Sequence, residues 1–118
     1  MQTVIPAFRI TDYDRSMAFY VDTLGFAVDW EHRFEPHFPA FLQLTKDDMT
    51  LYLTQHAGDC QVGGLIHFFV PNVDRWYSDL KNAKELCITV PPNEDLEGLR
   101  MMTLTDPDGN QLRICTRL

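Results

Sequence analysis

Aromatic and acidic residues are concentrated in one short part of the sequence, and their chemistry suits the binding of a flat, cationic molecule. The aromatic residues there are Trp30, Phe34, Phe38 and Phe41, and the acidic ones are Asp29, Glu31 and Glu35. Aromatic rings stack on planar groups and attract cations over their faces. Two interpretations stay open for Phe34 and Phe38: stacking on a ligand, or filling the seam of a dimer. Phe41 lies inside a predicted strand, which favours core packing.

The histidines form no recognised metal pattern. His32, His37 and His56 lie near the ends of predicted loops, at spacings that fit no zinc signature. His67 stands alone on a predicted strand, so we interpret it as a structural or ligand-contacting residue. The paired aspartates lie in predicted turns, where Asp is common. The sequence also lacks a Gly-x-Ser-x-Gly element and a phosphate-binding glycine loop. No catalytic residue is therefore predicted.

The cysteines, Cys60, Cys87 and Cys115, are odd in number and far apart in the sequence. This arrangement matches neither a zinc site nor a disulfide framework. Cys87 and Cys115 lie within apolar runs, which favours buried free thiols. Free thiols are typical of a reducing compartment, so we expect a cytoplasmic protein.

Length and charge exclude several classes of partner. The 118 residues fit one domain, which at this size needs no metal or disulfide merely to fold. The net charge of −7 disfavours nucleic acids and anionic membranes, and it attracts cationic small molecules. No apolar run approaches the roughly 20 residues of a membrane span. The first residues lack the basic and apolar regions of a secretory signal, so none is expected.

The elements that would position these residues occur twice along the chain. The predicted strands are residues 3–10, 26–32, 40–45, 49–55, 65–70, 86–90, 99–105 and 110–116. One helix follows a cap at residues 11–14 and runs to about 23, and a second follows a cap at 72–74 and runs to about 85. Loops are predicted at 33–39 and 91–98, and a tight Asp-Gly turn at 106–109.

The predicted fold is thus α+β, with two βαβββ modules in a single domain. Module 1 covers about residues 3–55, a linker covers 56–64 with a flexible joint at Gly63 and Gly64, and module 2 covers about 65–116. Neither half can close its own core. We therefore expect two curled sheets around a shared trough, which is a natural site for a small molecule.

Three segments resemble the signatures of the vicinal oxygen chelate superfamily, which includes glyoxalase I, extradiol dioxygenases and bleomycin resistance proteins. The segments are Arg9-Ile-Thr-Asp-Tyr-Asp-Arg-Ser-Met-Ala-Phe-Tyr20 followed by Leu24-Gly-Phe26, Val70-Pro-Asn-Val-Asp74, and Thr105-Asp-Pro-Asp-Gly-Asn110. The segment from Phe19 to Glu35 looks closest to the bleomycin resistance branch.

The resemblance implies where a metal would bind in the enzymes of the superfamily. Their ligands, usually His or Glu, correspond to Ile5, Tyr52, Leu65 and Arg113 here. Ile5 and Leu65 have no donor atoms, Tyr52 is a poor ligand near neutral pH, and Arg113 stays cationic. We therefore expect no metal and no cofactor.

For the site, the resemblance implies an aromatic wall of Trp30, Phe34 and Phe38, with Tyr52, His67 and Arg113 facing the trough floor. Related drug-binding proteins often have Trp-Gly where Glu97-Gly98 stands here, which removes one stacking surface.

The expected function is to sequester a planar or cationic drug-like molecule, such as bleomycin, without a metal. We expect the protein to be a cytoplasmic homodimer that exchanges modules. The alternatives are a metal-dependent glyoxalase, transferase or dioxygenase, and a dimeric interaction module without a ligand. Arg113 would repel a purely cationic ligand unless it is paired, so a ligand of mixed charge is also open.

Overall fold

The structure, a computed structural model, describes residues 2–82 and 88–118. The chain divides into two compact units. The first is Met1–Gly64 with Pro107–Asn110, and the second is Leu65–Asp106 with Gln111–Leu118. No helix within the described residues is both long and apolar enough to cross a membrane.

The first unit is a four-stranded mixed sheet with one helical segment. Its strands are β1 (Ala7–Arg9), β2 (Ala27–His32), β3 (Phe41–Lys46) and β4 (Met49–Thr54), in the order β1-β4-β3-β2. β1 runs parallel to β4, and the other neighbours are antiparallel. β1 lies at the edge of the sheet, as the proline beside it predicts.

β1 is shorter than the predicted strand 3–10, and a side chain completes the ladder beyond it. Pro6 contributes only its carbonyl, which accepts from the Tyr52 N–H at 2.9 Å. Further along β4, the amide of Gln2 accepts from the Thr50 N–H at 2.9 Å and donates to the Thr50 carbonyl at 2.9 Å. The Gln2 side chain therefore pairs with the Thr50 N–H and carbonyl, which β1 does not reach.

The helical segment of the first unit begins as predicted and then changes its geometry. Asp12 caps α1 (Tyr13–Met17) by accepting from the Arg15 N–H at 3.1 Å. The next turns, Ala18–Thr23, are π-helical, a feature that apolar periodicity does not predict. The segment stops where Gly25 adopts a φ of +85°, the left-handed conformation that favours glycine at helix ends.

The core of the first unit contains side chains of this helical segment and of one face of the sheet. Its fully or nearly fully buried side chains include Phe8, Tyr20, Leu24, Phe26, Leu42, Leu44, Leu51 and Leu53. Leu42 and Leu44 alternate with half-buried residues on β3, and Leu51 and Leu53 do the same on β4. The apolar alternation of these two strands therefore leaves the opposite face of the sheet open.

Gly64 has a steric reason to be glycine. A Cβ on Gly64 would lie 2.9 Å from Cε1 of the buried Phe8 ring. The side-chain oxygen of Asn110 accepts from the Gly63 and Gly64 N–H groups at 3.0 and 2.9 Å. The interpretation of Gly63 and Gly64 as a flexible joint misses this close packing, which requires the absence of a side chain.

The second unit repeats the order of elements. It contains β5 (Leu65–Phe69), α2 (Val73–Leu80), β6 (Ile88–Asn93), β7 (Leu99–Thr105) and β8 (Gln111–Arg117). The sheet has the order β5-β8-β7-β6, with β5 parallel to β8. Asn72 caps α2 by accepting from the Arg75 N–H at 3.2 Å. The predicted α+β class, with βαβββ occurring twice, is confirmed.

Two boundaries in the second unit differ from prediction. α2 ends at Leu80, and the remainder of the helix predicted to about residue 85 reaches into 83–87, which lie outside the described residues. The loop predicted at 91–98 begins only at Glu94, because β6 continues to Asn93. Its pairing with β7 shifts register between Val90 and Asn93, so the prolines need no ladder hydrogen bond on this edge strand. The predicted turn at 106–109 is confirmed, with Gly109 at a φ of +82°.

Candidate functional site

Three aromatic side chains meet on the open face of the first sheet. Trp30 stacks on Phe41 with ring centroids 5.9 Å apart and planes inclined by 11°. Tyr52 lies 5.8 Å from Trp30 and 5.1 Å from Phe41, with tilted rings. We call Trp30, Phe41 and Tyr52 the aromatic cluster. Trp30 remains 42% exposed, so the cluster presents a ring surface to solvent.

The prediction that Phe41 packs in the core is wrong. β3 buries Leu42 and Leu44 completely, whereas Phe41 is half-buried. Because successive side chains of a strand alternate between faces, burying Leu42 places Phe41 on the open face. The sequence shows that apolar residues alternate along β3. It does not show that Trp30 of the neighbouring strand packs against Phe41 on the open face.

A β-bulge places a carboxylate beside the aromatic cluster. Val28 pairs with Leu44 and Trp30 pairs with Gln43, so Asp29 is the extra residue between them. The Asp29 carboxylate accepts hydrogen bonds from Gln43 Nε2 and Thr45 Oγ1, each at 2.9 Å. Asp29 and Trp30 are consecutive in sequence, yet the bulge turns both toward the same face. A fixed negative charge therefore lies next to the exposed indole.

Arg33 anchors the loop that follows β2. Its Nε lies 3.0 Å from a carboxylate oxygen of Glu31, and its guanidinium lies 5.2 Å from the centroid of the Tyr13 ring. Its terminal nitrogen donates to the Phe38 carbonyl at 2.9 Å. The Tyr13 hydroxyl donates a hydrogen bond to Glu31 as well. These contacts connect the start and the end of the loop that carries Phe34 and Phe38.

The contacts among Arg33, Glu31 and Tyr13 shift the pKa values of Glu31 and Tyr13. The hydrogen bond from Tyr13, and then the one from Arg33, hold the pKa of the Glu31 carboxyl below its usual value, although desolvation opposes them. The same hydrogen bond to Glu31, followed by desolvation, raises the pKa of the Tyr13 hydroxyl. Glu31 is therefore ionised and Tyr13 is protonated near neutral pH.

Phe34 contacts histidines that the sequence analysis did not select. Its ring centroid lies 4.9 Å from His32 and 6.4 Å from His56, both edge to face. Phe34 is 73% exposed and Phe38 is 47% exposed. His32 stands two residues after Trp30 on β2, and that spacing is the signal that would have selected it.

A cleft of about 830 Å³ lies within the first unit. Its lining residues are Gln2, Ile5, Gln43, Asp47, Asp48 and Thr50. Gln43 is the register partner of Tyr52, and Thr50 precedes Tyr52 by two residues on the same face. The cleft therefore continues from the aromatic cluster along the sheet, and its mixed lining includes two carboxylates, Asp47 and Asp48.

His67 and Arg113 belong to the second unit. They are register partners on the neighbouring strands β5 and β8. His67 is exposed, Arg113 is half-buried, and Arg113 Nε has no hydrogen-bond partner among the described residues. Within each unit, then, the structure brings together Trp30 with Tyr52 and His67 with Arg113.

The positions that correspond to metal ligands in the related enzymes offer few donor atoms. Ile5 lines the cleft, Tyr52 belongs to the aromatic cluster, and Leu65 exposes an apolar side chain. In the part of the chain that the structure describes, no three His, Cys, Asp or Glu side chains lie close enough to hold a metal ion.

The two described cysteines are free thiols. Burial raises the pKa of both Cys60 and Cys115 above its usual value, which makes them poor nucleophiles near neutral pH. Cys115 is buried as predicted, and Cys87 lies outside the described residues.

Comparison with known proteins extends these observations. A family model described as "Glyoxalase superfamily protein" matches residues 1–118. The chain is 26% identical over 116 residues to the uncharacterized protein YraH of Bacillus subtilis (strain 168), covering 89% of this chain and 90% of that protein.

Two solved structures have a similar fold. A bleomycin-binding protein complexed with bleomycin has a TM-score of 0.75 and 21% identity, with 100% of both chains covered. TnmS3, an antibiotic binding protein from Streptomyces sp. CB03234, has a TM-score of 0.76 and 19% identity, with 100% of this chain and 98% of that chain covered. These similarities confirm the predicted glyoxalase/bleomycin resistance fold.

Proposed function

The chain belongs to the glyoxalase superfamily, and from this membership and the open face of its first sheet we propose that it binds and sequesters a small, planar, cationic molecule without a metal and without breaking bonds in it. The observation that carries this proposal is the aromatic cluster with the Asp29 carboxylate fixed beside it. Rings that stack on a planar group and a carboxylate that attracts a cation select together for a flat, positively charged ligand.

The structural relatives support binding as the activity. One of them is a bleomycin-binding protein and another is an antibiotic binding protein. We therefore take bleomycin as the first compound to test and antibiotic resistance as the expected consequence of sequestration. Each binding site removes one drug molecule, because the drug is bound and not destroyed. Resistance should therefore increase in proportion to the amount of protein.

Both the negative net charge of the protein and the carboxylates at the site favour a cationic ligand. The net charge of −7 raises the local concentration of cations around the protein. At the site, Asp29 lies beside the aromatic cluster, and Asp47 and Asp48 line the adjoining cleft. A ligand whose planar part stacks on Trp30 would extend its charged part along this acidic cleft.

The donor atoms at the metal positions support a metal-free site. Ile5 and Leu65 carry hydrocarbon side chains, and Arg113 is a permanent cation that repels a divalent metal. The other predicted ligand contacts are Phe34 and Phe38 in the first unit and His67 and Arg113 in the second.

We also propose that the protein is a homodimer that exchanges modules. All six residues of β2 are exposed, and β2 lies at an edge of the first sheet. Long exposed edge strands template pairing with other chains unless something covers them. A second copy that covers β2 would also lie close to Trp30, so the oligomeric state and ligand binding would be coupled. The free thiols of Cys60 and Cys115 support the cytoplasm as the proposed compartment.

Fluorescence tests the proposal, because Trp30 is one of only two tryptophans. The variant Trp76→Phe leaves Trp30 as the sole fluorescent indole, and bleomycin should quench its emission and raise the melting temperature of the protein. The matched variant Trp30→Phe retains only Trp76, which is 9% exposed, and its emission should not change. Absence of both quenching and thermal stabilisation in the Trp76→Phe protein would contradict bleomycin-type binding.

A further inference from the structure

Arg113 occupies the middle of the second sheet. It lies on β8 between β5 and β7, and its register partners are His67 and Thr103. Its chain neighbours Leu112 and Ile114 are both 0% exposed, whereas Arg113 is half-buried. Because side chains of a strand alternate between faces, Arg113 and His67 share the face opposite that of Leu112 and Ile114.

The guanidinium of Arg113 has lost water at Nε without gaining a partner. This nitrogen is buried and has no hydrogen-bond acceptor among the described residues, and no ion pair found among those residues includes Arg113. Arg9 Nε is also buried without an acceptor. Arg33 and Arg100, by contrast, each have a carboxylate at 3.0 Å, and Arg117 lies 4.2 Å from the centroid of the Phe69 ring.

Leaving this buried nitrogen without an acceptor is costly. A buried charged donor without an acceptor opposes folding, because water no longer satisfies it. The chain has 17 acidic residues to 10 basic ones, so a carboxylate partner within the protein would be easy to provide. The missing acceptor is therefore best supplied by a ligand.

The surroundings of Arg113 fit an organic acid. His67 places a second nitrogen-bearing side chain across the β5–β8 ladder. Leu65 and Phe69 flank His67 at alternate positions of β5 and are 48% and 46% exposed, so apolar surface borders the charge. A guanidinium matches a planar carboxylate through two parallel hydrogen bonds. The net charge of −7 repels a phosphate dianion more strongly than it repels a monoanion.

We propose that Arg113 and His67 form a binding site for the carboxylate of a small organic acid with an apolar body. The Arg113 guanidinium holds the carboxylate, His67 donates a further hydrogen bond to it, and the apolar body contacts Leu65 and Phe69. This inference rests on the proposed function in taking Arg113 and His67 as ligand contacts, but it requires neither a cationic ligand nor the aromatic cluster.

Benzoate is the probe for this site, and benzamide, which has the same ring and no charge, is its matched control. In an NMR titration, millimolar benzoate should shift the backbone amide signals of β5 and β8 in a saturable way, whereas benzamide should not. Arg113→Met should weaken benzoate binding by at least about tenfold, because charge-assisted hydrogen bonds are lost. Arg100→Met removes the same charge from an arginine already paired with Asp74, and it should leave the benzoate affinity unchanged.

Stability separates a binding role of Arg113 from a structural one. Since a buried Nε without an acceptor opposes folding, Arg113→Met should melt at the same temperature as the unaltered protein or above it. Should that variant not fold, a structural role is indicated and the proposal is overturned. His67 is exposed, so His67→Ala gives a second test, with benzoate binding expected to weaken several-fold and the melting temperature expected to stay constant.

Three binding results would also overturn the proposal: no saturable shift with benzoate, equal benzoate affinity in Arg113→Met, or tighter binding of phenyl phosphate than of benzoate. Quenching of Trp30 by bleomycin is measured separately. Failure of the carboxylate site and failure of the proposed function are therefore distinguishable.

Discussion

Trp30 and Phe41 lie on neighbouring strands with their rings nearly parallel, 5.9 Å between centroids and 11° between planes. Both rings occupy the sheet face opposite the buried leucines, so their contact adds nothing to the core beneath. Offset stacking of this kind fixes the orientation of each ring. The pair therefore forms a rigid surface that a planar ligand can use without first ordering flexible side chains.

The first prediction concerns stability and compares two consecutive residues of β3. Phe41→Ala should lower the free energy of unfolding by about 1 kcal/mol, the value of its ring contacts. Leu42→Ala should lower it by about 2–5 kcal/mol, because Leu42 is 0% exposed and its truncation leaves a cavity. Urea unfolding of both variants measures the difference. Equal losses would place Phe41 in the core after all.

Asp29 provides the second prediction, which tests the charge beside the indole. Asp29→Asn removes the negative charge and should weaken binding of a cationic ligand several-fold, with a smaller dependence on salt concentration. Asp22→Asn changes the net charge equally at an exposed residue of the π-helical segment, and it should bind like the unaltered protein. If both variants lose affinity equally, only the overall charge matters and Asp29 has no special role.

The third prediction is that acid weakens the contacts of the Glu31 carboxylate with Arg33 and Tyr13. The pKa of Glu31 in the folded protein lies below its usual value of 4.5, so its stabilising contribution is present above pH 4.5 and is lost as the pH falls through the lowered pKa. The difference in melting temperature between the unaltered protein and Glu31→Gln should therefore shrink as the pH falls below 4.5. An NMR titration of the Glu31 carboxyl that gave a pKa above 4.5 would contradict this prediction.

Gly64 leads to a fourth prediction. Gly64→Ala should destabilise the protein by about 1–3 kcal/mol, because the new Cβ overpacks against the buried Phe8 ring 2.9 Å away. Gly58→Ala is the control, since nothing lies within 4 Å of a Cβ at that position. Thermal unfolding compares the two variants. A neutral Gly64→Ala would restore the interpretation of this glycine as a flexible joint.

Local signals were sufficient for much of the fold. Asp12 and Asn72 cap helices because their side chains accept from the backbone three residues on, and the short range of that bond makes it visible in the sequence. Gly109 also identifies the last hairpin from the sequence, because the turn needs a residue with positive φ and glycine adopts it most readily. The signatures around these residues also identified the family correctly.

The arrangement of the site depended on long-range pairing, which the sequence does not display. The bulge at Asp29 arises from the register between β2 and β3, and it decides that Asp29 and Trp30 share a face. The contacts of Phe34 with His32 and His56 join residues from different elements. Composition placed aromatic and acidic residues in the correct segment, but only the register of the strands shows which of them meet.

Calorimetric titration with bleomycin tests the central claim most directly, using the unaltered protein and Trp30→Ala side by side. The account predicts saturable binding by the unaltered protein and recovery of the drug chemically unchanged. It predicts an affinity at least about tenfold lower in Trp30→Ala, which corresponds to roughly 1.4 kcal/mol, and a loss of folding stability of no more than about 1 kcal/mol because Trp30 is 42% exposed. Equal affinity of the two proteins, or no heat of binding from either, would contradict it.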